Sequence, residues 1–410
     1  MTSGQHFVIV GGGLAAAKLA EALRANDFAG SVTLLAAEDQ LPYERPPLSK
    51  EHLLGKKSLI EFTVESPQWY RDHHIDLRLG TSVTAIDRTA RTVTLPDGST
   101  LSYDKLALAT GSAPRTLRIP GADAPNVYTL RTIEDSDTLI ELFRSARRLA
   151  IIGAGWIGME VAAAARAAEV EVTILESAEQ PLLGALGPEM GAVFADLHRA
   201  HGVDLRLGAQ VAEIVTTHGI ATDVATGVRL ADGSVVEADA VLVAIGAAPN
   251  IDLARAAGLE VDGGVLVDAS LTTSDPDIVA VGDIAEQQHP VLGRRIRVEH
   301  WANALNQPAV AAATMLGKPG SYDRLPYFFT DQYDLGMEYT GYAGPGDYER
   351  VVVRGDKAAR EFLAFWLDGA NRVLAGMNVN IWDAGDRIRE LILSGDPVDP
   401  DRIADTSTPL

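Results

Sequence analysis

The chain has 410 residues, no cysteine and a formal net charge of −21, with 56 acidic against 35 basic residues. The absence of thiols excludes disulfides, thiolate metal sites, iron–sulfur clusters held by this chain and thiol catalysis, and the negative field argues against a nucleic-acid partner. Apolar residues make up 47% and charged residues 22%, a globular composition long enough for two or three domains, and with no run of eighteen apolar residues a membrane span is not expected.

The start, "MTSGQHFVIVGGG", enters a strand almost at once and leaves no room for a signal peptide, so a cytoplasmic setting is expected. From His6, "HFVIVGGGLAAAKLAEAL" reads as an apolar strand, a glycine turn and an alanine-rich helix, followed by a second strand, "SVTLLAAE". The turn is Gly11-x-Gly13-x-x-Ala16. In such turns the first glycine makes the bend, the second lets the backbone approach a pyrophosphate, and the third small residue packs helix on strand. Backbone amides at the helix start then bind the anion. Where a ribose-binding acid is expected after the second strand stands Ala36, so Glu38, two residues on, is the candidate. In "LPYERPPLSK", residues 41–50, adjacent prolines stiffen the chain. Ser49 reads as the cap of a following helix, with Lys50 at its first position, where the macrodipole disfavours a cation. Next, "DKLALATGSAPR" (Asp104–Arg115) is a buried strand ending in Thr-Gly.

From Arg148 the first pattern returns as "RLAIIGAGWIGMEVAAAA", with Gly153-x-Gly155-x-x-Gly158 and a second strand, "EVTILESAE". Glu176 lies 23 residues after Gly153, where a carboxylate binds a ribose 2′-hydroxyl and repels a 2′-phosphate; NADH is therefore expected rather than NADPH. "DAVLVAIGAAPN" (Asp239–Asn250) repeats the form of Asp104–Arg115, and the two read as crossings between two nucleotide domains. "TTSDPDIVAVGDIAE" (Thr272–Glu286) is a strand ending at Gly282-Asp283, a carboxylate placed to bond a ribityl chain. Beyond about residue 326, aromatic alternating runs such as "YERVVVRGD" and "AREFLAFWL" predict a small α+β domain. Two dinucleotides in one chain suggest a flavin and a nicotinamide with hydride passing between them. The expected fold is α/β, with two Rossmann-like domains and a small α+β C-terminal domain. Residues 1–113 and 247–325 would bind FAD, 114–246 NADH, and 326–410 would form the third domain, an interface domain by the resemblance that follows.

Together with "PYERPPLSK", these motifs resemble the two-dinucleotide flavoprotein reductases, and among them the NADH-dependent ferredoxin reductases of bacterial oxygenase systems. The resemblance runs by motif from Val8 to about Gly355 and more loosely to the end. It implies hydride transfer from NADH to flavin N5, then single electrons to an external [2Fe–2S] ferredoxin feeding a monooxygenase or ring-hydroxylating dioxygenase. It implies FAD contacts at Gly11, Gly13, Leu14, Ala15, Arg45, Lys50, Val83 (ending the "LGTSV" strand), Thr110, Gly111, Arg131, Asp283 beside Gly282, and Val298. For NADH it implies Gly153, Gly155, Ile157, Gly158, Glu176 and Gly246. Lys50 matches a lysine beside N5 and Glu160 its carboxylate partner, the pair steadying the nicotinamide. Two departures stand out: "ESAEQPLLGAL" lacks an arginine shortly after Glu176, and Phe329 stands where relatives often have a tryptophan near the flavin.

A ferredoxin partner is typically acidic, so docking would need a cationic patch, with Arg294, Arg295 and Arg297, Lys56 and Lys57 as candidates. A monomer or homodimer is expected. The histidines, His73, His74 and His300 among them, show no metal-ligand spacing. The competing readings are an NADH:quinone or other small-acceptor reductase and a non-catalytic NADH-sensing flavoprotein.

Overall fold

Strand His6–Val10 is buried from Phe7 onward and is the middle strand of a parallel sheet ordered Ile278–Ala280, Lys105–Leu108, His6–Val10, Ser31–Leu35, Ile75–Arg78. Its inner strands are near-continuous apolar runs because such sheets are covered on both faces, whereas the edge strand Ile75–Arg78 alternates and is only partly buried. This sheet belongs to the first of two units into which the computed structural model divides; it comprises Met1–Glu44, Leu59–Ala113 and Ala248–Pro326. The structure describes residues 4–218 and 222–410; the first three residues, part of the expected direct entry into a strand, lie outside these. Helix Leu14–Ala25 follows the first strand and buries Ala16, Ala17, Leu19, Ala20 and Leu23. Small residues on this face let its backbone lie close to neighbouring elements.

The second unit comprises Arg45–Ser58, Pro114–Ala247 and Tyr327–Leu410. Its parallel sheet runs Asp204–Arg206, Glu171–Leu175, Arg148–Ile152, Ala240–Val243, Val127–Tyr128, and helix Trp156–Ala167 follows its central strand. The same unit holds a five-stranded antiparallel sheet, ordered Tyr327–Gln332, Leu335–Gly341, Val373–Val379, Glu361–Leu367, Arg350–Asp356. Helices Gly385–Ser394 and Pro400–Ala404 follow it, completing the α+β character expected of this segment. Helix Leu183–Ala200 is broken at Gly187, whose φ of 79° precedes Pro188. The carbonyl of Leu186 accepts from the Trp366 indole at 3.2 Å.

Two local expectations are corrected. Pro46–Ser49 is itself a 3₁₀ turn, and Lys50 is the residue that ends it rather than the first residue of a following helix. The prolines supply the fixed φ that starts such a turn, and the Ser49 hydroxyl is taken up elsewhere. The "LGTSV" segment is not a strand: extended structure stops at Arg78, because Gly80 turns with φ 59° and Val83 lies in the loop beyond. Among the described residues, no helix is long and apolar enough to cross a membrane, and no group of three or more acidic or histidine side chains is placed to hold a metal.

Candidate active site

Both glycine turns have the geometry that their spacing predicts. Gly11 has φ 135°, and a β-carbon there would lie 2.1 Å from the carbonyl oxygen of Ala109. Gly153 has φ 104°, with the Ala244 carbonyl oxygen at 2.5 Å from the same hypothetical atom. These positions accept glycine only. The second glycines differ: a β-carbon on Gly13 would meet nothing within 4 Å, and on Gly155 only the Ala244 carbonyl oxygen at 3.9 Å. Space is thus left where the backbone would meet a diphosphate. Gly13 and Gly155 cap their helices with extended backbone, neither turn has a side-chain cap, and neither helix has an acid in its first turn. The exposed first-turn amides suit an anion. At the third position Ala16 is fully buried, and a β-carbon on Gly158 would clash with the Gly153 carbonyl at 2.3 Å. Leu14 and Ala15 are buried in the first helix start, whereas Ile157 is 39% exposed in the second.

The ribose-binding candidates lie at the carboxyl ends of the second strands. Glu176 accepts from the amides of Ala154 (2.7 Å) and Ala178 (2.8 Å), which fixes its carboxylate against the glycine turn. In the first unit Ala36 is small for a steric reason: a β-carbon on Gly12 would lie 2.5 Å from that of Ala36. The candidate acid two residues on, Glu38, accepts from the Tyr43 hydroxyl at 2.6 Å.

Other candidates of the first unit collect at the same edge of its sheet. The Thr110 hydroxyl donates to the Asn250 carbonyl at 2.8 Å, and the Gly111 carbonyl accepts from the Asn250 amide at 2.9 Å. Gly282, with φ 76°, approaches Ala15 and donates its amide to the Gln307 side chain at 2.7 Å. Asp283 follows in a short 3₁₀ turn. Val298 is buried just ahead of helix Trp301–Met315, and the partly buried Val83 packs on the core of the unit. Of the basic candidates, Arg297 pairs with Glu299 and Arg295 donates to backbone carbonyls, while Lys57 faces Glu51 at 3.6 Å.

Within the second unit the structure brings Lys50 and Glu160 together. The Lys50 ammonium lies 2.7 Å from a Glu160 oxygen, with the side chains 9% and 5% exposed. Charges this buried persist only when paired and hydrogen-bonded. Thr330 donates to the same oxygen at 2.6 Å, and Ser49 donates to the other. The Lys50 ammonium also lies 5.5 Å from the centre of the Phe329 ring, within cation–π range. Arg45 donates to the Arg131 carbonyl at 2.5 Å, and Ser136 donates to the Leu48 carbonyl at 2.8 Å, which anchors the proline turn below Lys50. Gly246, with φ 95°, has only the Arg115 side chain near the direction of a β-carbon, at 3.8 Å. Sequence reasoning missed Ser49, read as a helix cap, and Thr330. The available signal was two polar residues at alternate positions, Thr330 and Gln332, on the buried face of a strand.

Two glycine turns, each on its own parallel sheet, and in the second unit a buried lysine–glutamate pair, point to a pyridine-nucleotide oxidoreductase. The pyridine nucleotide-disulphide oxidoreductase family matches residues 5–307, and the reductase C-terminal family residues 327–410. The chain is 42% identical over 408 residues to the anthranilate 1,2-dioxygenase system ferredoxin–NAD(+) reductase component of Burkholderia cepacia, covering 100% of this chain and 99% of that protein. It is 39% identical to putidaredoxin reductase of Pseudomonas putida, with coverage of 100% and 97%. The crystal structure of the covalent putidaredoxin reductase–putidaredoxin complex superimposes with a TM-score of 0.94 at 38% identity, covering 99% and 97%. The chain belongs to the pyridine nucleotide-disulphide oxidoreductases, in the branch of ferredoxin reductases that serve oxygenase systems. With no cysteine, it carries out none of the disulfide chemistry in the family's name.

Proposed function

We propose that the first unit binds FAD, that the second binds NADH, and that electrons leave to a [2Fe–2S] ferredoxin serving a monooxygenase or ring-hydroxylating dioxygenase in the cytoplasm. The observation that carries this reading is the pair of turns closed by backbone at Gly11 and Gly153 and open at Gly13 and Gly155. Bound FAD would accept a hydride as a pair of electrons and release them singly. Gly11, Gly13, Leu14 and Ala15 would hold its diphosphate end, with Glu38 at its ribose and Thr110, Gly111, Gly282 and Asp283 along its length. Within the first unit, Val83 and Val298 would line the remainder. Gly153, Gly155, Ile157, Gly158 and Gly246 would receive NADH, and Glu176, already fixed by two amides, would take the ribose 2′-hydroxyl and repel a 2′-phosphate. Lys50 would present its ammonium to the reacting end, and Glu160 holds that ammonium in one place. Exclusion of water strengthens their interaction, and fixed geometry is what such a site contributes to rate.

Relatives of this chain, named as the reductase component of a dioxygenase system and as a complex with putidaredoxin, support the choice of acceptor. The test is single-turnover reduction of the FAD-loaded protein by NADH and by NADPH, followed in the same run by a [2Fe–2S] ferredoxin from a dioxygenase system. Bleaching by NADH well ahead of NADPH, then ferredoxin reduction, is expected. Slow bleaching with no onward transfer, or reoxidation by a quinone alone, would overturn it.

A further inference from the structure

The proposed function makes no use of His198, a fully buried histidine on helix Leu183–Ala200. Its Nε2 lies 2.9 Å from the Gln332 side-chain oxygen. The Gln332 amide nitrogen donates to the Thr330 hydroxyl at 3.2 Å, and Thr330 donates to Glu160 at 2.6 Å. On the far side, the Tyr333 hydroxyl faces His198 Nδ1 at 3.4 Å, the longest link. Tyr333 is itself stacked on His201, with ring centres 3.7 Å apart.

The directions in this chain are not independent. A Glu160 carboxylate paired with Lys50 is ionised and can only accept. Thr330 must then give it its one hydroxyl proton, so the hydroxyl oxygen accepts from the Gln332 amide. The Gln332 carbonyl oxygen is left to accept from His198, which fixes the imidazole proton on Nε2 and turns Nδ1 towards the Tyr333 hydroxyl. Every hydrogen points towards Glu160. The opposite sense would need a protonated Glu160, a reversed Gln332 amide and a proton moved to the other imidazole nitrogen, all together. A carboxamide does not readily hand on a proton, so the chain aims and polarises the carboxylate and is no conduit.

We propose that His198, Gln332 and Thr330 are positioning residues that hold Glu160 in line with Lys50 through a one-way hydrogen-bond chain. The proposal deepens the assignment of Lys50 and Glu160 to the hydride site and rests on it. It ties helix Leu183–Ala200 and strand Tyr327–Gln332 to the competence of that pair, and both lie in the same unit.

The test uses FAD-loaded protein with Thr330→Val, Gln332→Met, Thr330→Ser and Glu160→Gln, singly, and with the first two combined with the last. Thr330→Val slows single-turnover reduction by NADH about 10-fold, the equivalent of about 1.4 kcal/mol and of one hydrogen bond to a charge, and Gln332→Met, which removes a bond to a neutral hydroxyl, slows it about 4-fold. Thr330→Ser, which keeps the donor, recovers most of that rate. In the Glu160→Gln background neither substitution slows the reaction further, because the chain acts only through that carboxylate. The same cycle read in thermal unfolding gives non-additive shifts for Thr330→Val with Glu160→Gln. Wild-type rates in both chain variants, or full additivity with Glu160→Gln in rate and in unfolding, would overturn the chain. A wild-type rate in Glu160→Gln itself would instead overturn the hydride-site assignment. The unfolding cycle would then judge the hydrogen-bond chain alone, coupling supporting it and additivity sinking it.

Discussion

Replacing Lys50 with methionine keeps most of the stem's volume and removes the cation facing Glu160. With the two side chains 9% and 5% exposed, water cannot rehydrate the abandoned carboxylate, and removing one partner of a buried ion pair costs about 3–5 kcal/mol. Ser49 and Thr330 still donate to it, which places the expected loss near the lower end, about 3 kcal/mol. For a body of 150–250 residues each kcal/mol moves the midpoint by about 2–4 °C, so the transition of the second unit should fall by about 6–12 °C. Scanning calorimetry of Lys50→Met reads this directly. Adding Glu160→Gln removes the stranded charge, and the double variant should recover much of the loss. A fall of less than about 2 °C in Lys50→Met, or a double variant less stable than Lys50→Met, would refute the view that this lysine compensates this carboxylate.

Gly11→Ala and Gly13→Ala should separate folding from binding. The first forces a β-carbon to 2.1 Å from the Ala109 carbonyl at a φ of 135°, and should fold poorly; the second meets nothing within 4 Å, so it should keep the unfolding midpoint of the flavin-free protein while losing bound flavin, read from the flavin absorbance of the purified protein. Equal loss of stability in both would contradict the open turn. Burial pushes the His198 imidazole down to about 4, against a smaller upward pull from its hydrogen bond with Gln332. The unfolded chain therefore takes up that proton first. The stability contributed by neutral His198 is full above about pH 6.5 and fades as the pH falls towards 4, a loss of up to about 3 kcal/mol. Unfolding midpoints of wild type and His198→Leu between pH 7 and 4.5 check this: the variant should show the shallower slope, and parallel slopes would refute it.

The parallel sheets and glycine turns were legible because each is a local pattern with one physical cause. An apolar run followed by glycines at fixed spacing needs no distant partner to be interpreted. Glu176 was picked out as a ribose candidate by the same spacing, and Glu38 because Ala36 stands at the corresponding place. The close approach between Gly12 and Ala36 emerges only in three dimensions. The Lys50–Glu160 pair joins residues far apart in the chain and was reached through family resemblance, since neither residue signals the other locally. Ser49 and Thr330 were missed because a hydroxyl is ambiguous in sequence: Ser49 suits a helix cap as well as a carboxylate 111 positions away. The proline turn was misplaced by one step, because Pro-Pro was treated as a stiff approach to a helix when it forms the 3₁₀ turn itself. The "LGTSV" strand failed at Gly80, whose left-handed backbone ended the extended run.

The break at Gly187 and Pro188 also bears on how the protein emerges from the ribosome. The Leu186 carbonyl at this break is met by the indole of Trp366, 180 residues later, and a β-carbon on Gly187 would collide with the Tyr348 hydroxyl. At translation rates of roughly 5–20 residues per second, about 10–40 s pass between synthesis of the two partners. During that interval the Leu186 carbonyl lacks its indole partner, and the Gln332 that meets His198 on the same helix has yet to be made for most of the time. The nascent chain therefore carries an unfinished helix break while 180 of its 410 residues are made. Slowing translation between residues 200 and 366 should then reduce the yield of soluble protein more than slowing it after Trp366.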